Sequence, residues 1–264
     1  MTESTDEGLR FYFGAAAGSE RKALQMMDES NVMISHATKH NKPWFGIDNL
    51  FVDCGGYSLL KSDAEHPPLD EYIRYLQRWQ PDRYALRDYP CEPDLLDDLN
   101  ETVESHQQKT LEDHIEMLER TDSLDGISYP VIQGWSIGQY LDCIDLFRDH
   151  GIPLTSLGVG SVCRRNAAGE IQSVLREIRR ELPDADLHGF GVKVSMFKMQ
   201  GVSELLDSAD SLAYSYAAWR EHDSGNWKNK TLEYLKFKKR IEQLTEGVSD
   251  SQQTLTDSWG DNPQ

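Results

Sequence analysis

The sequence predicts a single α/β domain, a (β/α)8 TIM barrel, and three observations point to it. Short apolar runs alternate with amphipathic stretches along nearly the whole chain, which is the pattern of parallel βαβ units. Eight such runs can be counted, a number that suits a closed barrel better than an open sheet. The length, 264 residues, is the usual size of one such barrel.

The expected strands are FYFGAA (11–16), NVMIS (31–35), NLFVD (49–53), RYALR (83–87), PVIQG (130–134), SLGVG (156–160), LHGFGV (187–192) and SLAYS (211–215). Helical patterns lie between them at 20–29, 68–79, 104–120, 137–149, 167–181 and 199–207, with 228–245 after the last strand. Pro153 and Pro183 stand just past two of these helices, where a residue without an N–H ends a helix. The last 20 residues, TEGVSDSQQTLTDSWGDNPQ, carry few apolar side chains. The barrel is therefore expected over residues 1–244, with a disordered acidic tail over 245–264. No repeat and no linker divides the chain.

Lys and Arg total 27 against 45 Asp and Glu, a formal charge of −18. The acids are spread along the chain, and such a solvated surface suits a protein working at high salt. This balance opposes simple electrostatic binding to nucleic acid unless basic residues gather on one face. Cys54, Cys91, Cys143 and Cys163 are widely spaced and form no CxxC or CxC pair. Neither a zinc site nor a disulfide framework is indicated, and a reducing cytoplasm fits best. The polar, acidic start MTESTDEGLR is not a secretory signal, and no apolar run approaches the roughly 20 residues that span a bilayer.

In this fold, residues at the C-terminal ends of strands point into the active-site mouth. Asp53 ends the third strand and is followed at once by Gly55 and Gly56. Alone, that stretch reads as a turn with a capping acid. Asp88 follows the fourth strand, Gln133 closes the fifth, and Asp210 opens the eighth. Three carboxylates and an amide are thus expected on one rim.

In order along the chain, the residues resemble the tRNA-guanine transglycosylase family. VDCGGYS resembles that family's (T/V)DSGGFQ, ALRDYPCEP its FDEC segment, YPVIQGW its (I/V)VQGG, TSLGVGS its GLAVGE, LHGFGV its LMGVG and LLDSADSLAY its GIDMFDCVLP. The resemblance implies a base exchange in which guanine leaves a nucleoside and a 7-deazaguanine takes its place, with no cofactor. It makes Asp210 the nucleophile on C1′ and Asp53 the general acid/base, with Gly55, Gly56 and Tyr57 shaping the base pocket. Asp88 and Gln133 would bind the purine edge, and backbone at Ser156 and Leu157 would complete it. Those residue types fit the chemistry independently. A carboxylate can hold the sugar between two displacements, a second acid can move the proton, and a carboxylate and an amide complement guanine's donors and O6.

The family's tRNA enzymes carry a CxCxxC…H zinc site after the barrel, and this chain has no cysteine there. YSYAAWR replaces the family's PTR, and Ser161 replaces the glutamate of GLAVGE. These departures point to the zinc-free branch that inserts 7-deazaguanines into DNA, known from phages, archaeal viruses and bacterial DNA-modification clusters. The expected partners are DNA rather than tRNA and a 7-deazaguanine base, with other DNA-modification proteins or a second copy of the chain, and no membrane. A non-catalytic subunit that keeps the pocket and an unrelated barrel hydrolase are the competing readings.

The remaining features read more plainly. His188 is expected to be a satisfied strand residue, and Cys54 to fill space beside Asp53. Arg164 and Arg165, in CRR after the sixth strand, and Lys193 are the candidate phosphate contacts, whereas KFKKR (236–240) reads equally as a solvated helix face. Trp79, Trp135, Trp219 and Trp227 read mostly as packing. The acidic run CEPDLLDDLNETVE (91–104) reads as a solvated loop and helix start.

Overall fold

Nine parallel strands form one sheet in the computed structural model, in the order β5-β4-β3-β2-β1-β9-β8-β7-β6. They are β1 (Arg10–Ala15), β2 (Asn31–Ser35), β3 (Asn49–Asp53), β4 (Arg83–Ala85), β5 (Ile127–Tyr129), β6 (Val131–Ile132), β7 (Ser156–Val159), β8 (Asp186–Gly189) and β9 (Ser208–Ser211). The structure describes residues 8–246 apart from 41–43, 45, 64, 163, 166–167 and 200. Cys163 and the expected tail beyond residue 246 lie outside the described residues.

The two edges of the sheet are β5 and β6, and only Pro130 separates them. A proline has no N–H to give the ladder, so it interrupts a strand. Here β5 pairs with β4, β6 pairs with β7, and the Pro130 carbonyl accepts from Gly158 N–H at 2.8 Å. The expected fifth strand, 130–134, is therefore only the second piece of a stave that begins at Ile127, and eight staves nearly close a barrel.

Helices alternate with the strands as α1 (Gly18–Met26), α2 (Gly56–Asp63), α3 (Leu69–Trp79), α4 (Pro93–Leu99), α5 (Val103–Arg120), α6 (Ile137–Asp149), α7 (Ala168–Glu181), α8 (Ala213–His222) and α9 (Trp227–Glu246). Thr102 and Ser136 cap α5 and α6 by accepting from Ser105 N–H and Gln139 N–H. Three expectations are corrected. The last strand is 208–211 rather than 211–215, because the apolar run Leu212–Tyr214 turns into α8 and packs as helix. A short apolar run does not by itself distinguish the two states. No helix spans 199–207: a 3-10 turn covers Val194–Lys198, Met199 is extended (φ −85°, ψ 129°) and Gly201 has φ +77°. The acidic stretch after Cys91 forms α4, with Pro93 in its first turn.

Side chains in a strand alternate between faces, and that parity fixes the core. Phe11, Phe13, Leu50, Val52, Leu157 and Leu187 face the helices in the outer layer. Tyr12, Met33, Phe51, Ala85, Tyr129 and Val131 fill the barrel interior, with Phe190 against them. Asp53 shares the parity of Phe51, Gln133 that of Val131, and Asp210 is paired in register with Tyr12. The polar residues therefore continue the interior column upward to its open end. Among the described residues, no group of three or more His, Cys, Asp or Glu is placed to hold a metal, and no helix is long and apolar enough to cross a membrane.

Candidate active site

The chain turns sharply after β3. Gly55 has φ +78°, a left-handed conformation that side chains disfavour, and a Cβ there would meet Ala37 Cβ and Ser35 Oγ at 2.6 Å. A Cβ on Gly56 would lie 2.8 Å from the Asp88 carbonyl. The glycine pair thus lets the backbone pass close to the β2 and β4 loops, and α2 can start immediately. That close packing carries Asp53 and Asp88 to one cavity of about 180 Å³, also lined by Gly55, Gly56, Tyr57, Gln133 and Asp210. Met33 and Phe190 supply apolar wall, and Pro90, Glu92, Gly160, Ser161 and Gly191 complete much of the rest.

Ser156 and Leu157 do not reach the cavity. Ser156 starts β7, at the end of the barrel away from the mouth, and Leu157 points outward into the helix-facing core with no exposed surface. The contribution of this strand comes from Gly160 and Ser161, beyond its C-terminal end. The backbone contribution was expected too early along the strand.

The carboxyls are held in unlike surroundings. Burial pushes Asp53 up to about 7, assisted by the charges of Asp88 and Asp210 and resisted by hydrogen bonds from Gly55 and Ser35. Asp88 rises to about 6 through burial, against hydrogen bonds from the Cys54 thiol (2.8 Å, to Oδ1) and Gln133 Nε2 (to Oδ2). Cys54 is fully enclosed, and burial beside Asp88 drives its thiol well above the ordinary range. It acts as a donor to Asp88. Asp210 accepts from Gly191 N–H at 2.7 Å and from His188 Nε2 at 3.3 Å, and both contacts fall on Oδ1.

Glu92 is the residue that sequence reasoning missed. It is 1% exposed, lines the cavity, and burial lifts its carboxyl to about 7 against the Ser161 hydroxyl. Ser161 Oγ accepts from Cys91 N–H (2.8 Å) and lies 2.7 Å from Gln133 Oε1 and 2.9 Å from Glu92 Oε2. One hydroxyl hydrogen serves only one of those two oxygens. Both oxygens therefore compete for the Ser161 hydroxyl hydrogen, while Gln133 Nε2 donates to Asp88. Ser161 and Gln133 thus connect Glu92 with Asp88. The only signal in the sequence was Pro93, which makes Glu92 the N-cap of α4 and turns it inward.

Of the three basic candidates, two stand at the surface. Arg164 lies over the Tyr57 ring at 5.0 Å and 3.6 Å from Asp94, and Tyr57 OH donates to Asp94 at 3.2 Å. Lys193 is exposed, and its Nζ donates to the Arg165 carbonyl at 2.8 Å. Arg165 is 5% exposed, donates to the Ser161 and Trp135 carbonyls, and covers the Trp135 ring at 4.2 Å. Its guanidinium is occupied inside the protein, which corrects its assignment as a phosphate contact. KFKKR lies on α9, where Lys236 pairs with Glu233 and Lys238 with Glu29.

No curated protein matches the chain. Residues 47–259 match the family model DpdA, DeoxyPurine in DNA protein A. That span includes Asp53, Asp88, Glu92, Gln133 and Asp210, and it covers well over half of the sequence. The chain belongs to the DpdA family, a tRNA-guanine transglycosylase-like family acting on DNA.

Proposed function

We propose that this protein exchanges guanine in DNA for a 7-deazaguanine through a covalent aspartyl-glycosyl intermediate on Asp210. The observation that carries the reading is one cavity lined by Asp210, by an Asp53 that titrates near 7, and by the Asp88–Gln133 pair. Asp88 as a carboxylate accepts from guanine N1–H and N2–H, and the second hydrogen of Gln133 Nε2 is free to meet O6. Asp210 Oδ2 forms a bond to C1′ while the C1′–N9 bond breaks and its electron pair leaves with guanine. Protonated Asp53 supplies the proton that makes guanine a neutral leaving group. The incoming base then gives its N9 proton to the Asp53 carboxylate, N9 bonds C1′, and Asp210 departs as a carboxylate. Two inversions retain the sugar configuration.

The substrate is DNA with the target base out of the stack. Extruding a paired guanosine costs a few kcal/mol, so single-stranded or melted DNA reacts faster than duplex. Exchange of labelled guanine into single-stranded DNA, duplex DNA and tRNA tests this. Incorporation is expected into DNA, fastest in the single strand. Label entering tRNA and neither form of DNA overturns the proposal.

A further inference from the structure

A histidine sits inside the barrel among four aromatic rings. His188 is fully buried on β8, facing inward, and its ring lies 4.5 Å from Phe51, 4.6 Å from Phe190, 5.9 Å from Tyr12 and 6.4 Å from Tyr129 between centroids. Packing alone would favour a fifth aromatic ring here. The polar atoms of His188 instead meet two groups, both on β9: Ser208 Oγ at 2.9 Å from Nδ1 and Asp210 Oδ1 at 3.3 Å from Nε2. Register explains the pairing, because His188 is opposite Ser208 across the β8–β9 ladder and Asp210 is the next residue of the same parity. A carboxylate only accepts, so Nε2 carries the hydrogen. In the neutral ring Nδ1 then accepts from the Ser208 hydroxyl, which fixes the tautomer.

We infer that His188, fixed by Ser208, is a positioning residue that holds Asp210 by Oδ1 and leaves Oδ2 to bond the sugar. This rests on Asp210 being the nucleophile. The same donor acts in both half-reactions. While the glycosyl ester exists, Oδ1 is its carbonyl oxygen, hydrogen-bonded by Gly191 N–H and His188 Nε2–H. As the C1′–Oδ2 bond breaks, the electron pair returns to the carboxylate and both hydrogen bonds strengthen, as donors aimed at developing charge do. Without the imidazole, Gly191 N–H is the donor to Oδ1 that remains among the described residues, and the carboxylate can rotate about its side-chain torsion.

The test compares His188→Phe with His188→Gln in single-turnover formation of the protein–oligonucleotide adduct, alongside thermal melts and the Asp210→Ala variant. A role in packing alone predicts Phe above Gln in every measurement, because Phe completes the aromatic enclosure. The positioning role predicts opposite rankings. His188→Phe melts at or above His188→Gln but forms adduct about 10²-fold more slowly than the unaltered protein, the usual cost of one such donor. His188→Gln, which still presents an N–H, stays within about tenfold, and KM for the oligonucleotide is unchanged in both. A folded His188→Phe within twofold of the unaltered rate, or faster than His188→Gln, overturns the inference. If His188→Phe does not fold, Ser208→Ala replaces it, with adduct formation expected several-fold slower and an unchanged rate overturning the inference. Insensitivity to Asp210→Ala would instead remove the nucleophile assignment beneath it.

Discussion

Asp53 and Asp88 show how position changes one side chain's chemistry. Both are raised mainly by burial, to about 7 and about 6, and the charge of Asp88 adds to the rise of Asp53. The proposed exchange needs Asp88 ionised to accept from the purine and Asp53 protonated to release guanine. The pH profile of kcat/KM for the oligonucleotide is therefore expected to rise through about 6 and fall above about 7, with both limbs belonging to the coupled cluster. A profile flat from pH 5 to 9 would contradict this. Asp53→Asn is expected to lower exchange by about 10²–10⁴-fold, the range for a lost acid/base. The same variant should be more stable at pH 8. A carboxyl whose native pKa lies above its ordinary value stabilises the fold only while protonated, and that stability is lost as pH rises from about 4 through about 7. Asn carries no such titration, so urea melts should place Asp53→Asn about 1–3 kcal/mol above the unaltered protein at pH 8, with the gap shrinking toward pH 4. At this scale Asp53 and Asp88 were legible in the sequence because each followed an apolar run, whereas Asp210, expected to open the last strand, stands near its C-terminal end. Glu92 was not, because it stands in a run of solvated acids and only the start of α4 turns it inward.

At the scale of elements, helix ends with a cap or a clear amphipathic face were legible to within a residue or two: α5, α6 and α9 lie where the periodicity placed them. The errors came where pattern and tertiary context disagree. The apolar residues after Asp210 resemble a strand, yet Tyr214 is buried as helix, donating to the Gly14 carbonyl at 2.8 Å. The fifth strand was expected to begin at Pro130, and its first piece, Ile127–Tyr129, was missed because a three-residue run ahead of a proline carries little strand pattern of its own. The contact between α1 and α9 depends on a pair that no periodicity reveals. Lys230 Nζ meets Glu20 Oε1, both side chains are 4% exposed, and Ser215 Oγ donates to the same oxygen at 2.6 Å. Lys230→Met leaves a buried carboxylate without its cation and should cost about 3–5 kcal/mol in urea unfolding. Adding Glu20→Gln should recover most of that loss. A single variant as stable as the unaltered protein would show that the pair does not tie the helices.

At the scale of the whole molecule, the −18 charge sets how nucleic acid is held. Arg164 and Lys193 are the exposed cations among those expected near the mouth, and Arg164 already shares Asp94. Few phosphates can be neutralised, so affinity should depend only shallowly on salt, with log K against log[salt] for a single strand at a slope of about −2 or shallower. Fluorescence anisotropy with a labelled oligonucleotide measures this, and a slope as steep as about −6 would mean that a large basic surface has been overlooked. The central claim, that Asp210 carries the sugar between two bases, is tested most directly by denaturing electrophoresis of the protein with a guanine-containing DNA oligonucleotide and no incoming base. The account predicts a slow-migrating adduct that disappears on adding the 7-deazaguanine and never forms with Asp210→Ala. An adduct that survives Asp210→Ala but vanishes with Asp88→Ala would contradict it, because nucleophile and recognition acid would then have been exchanged.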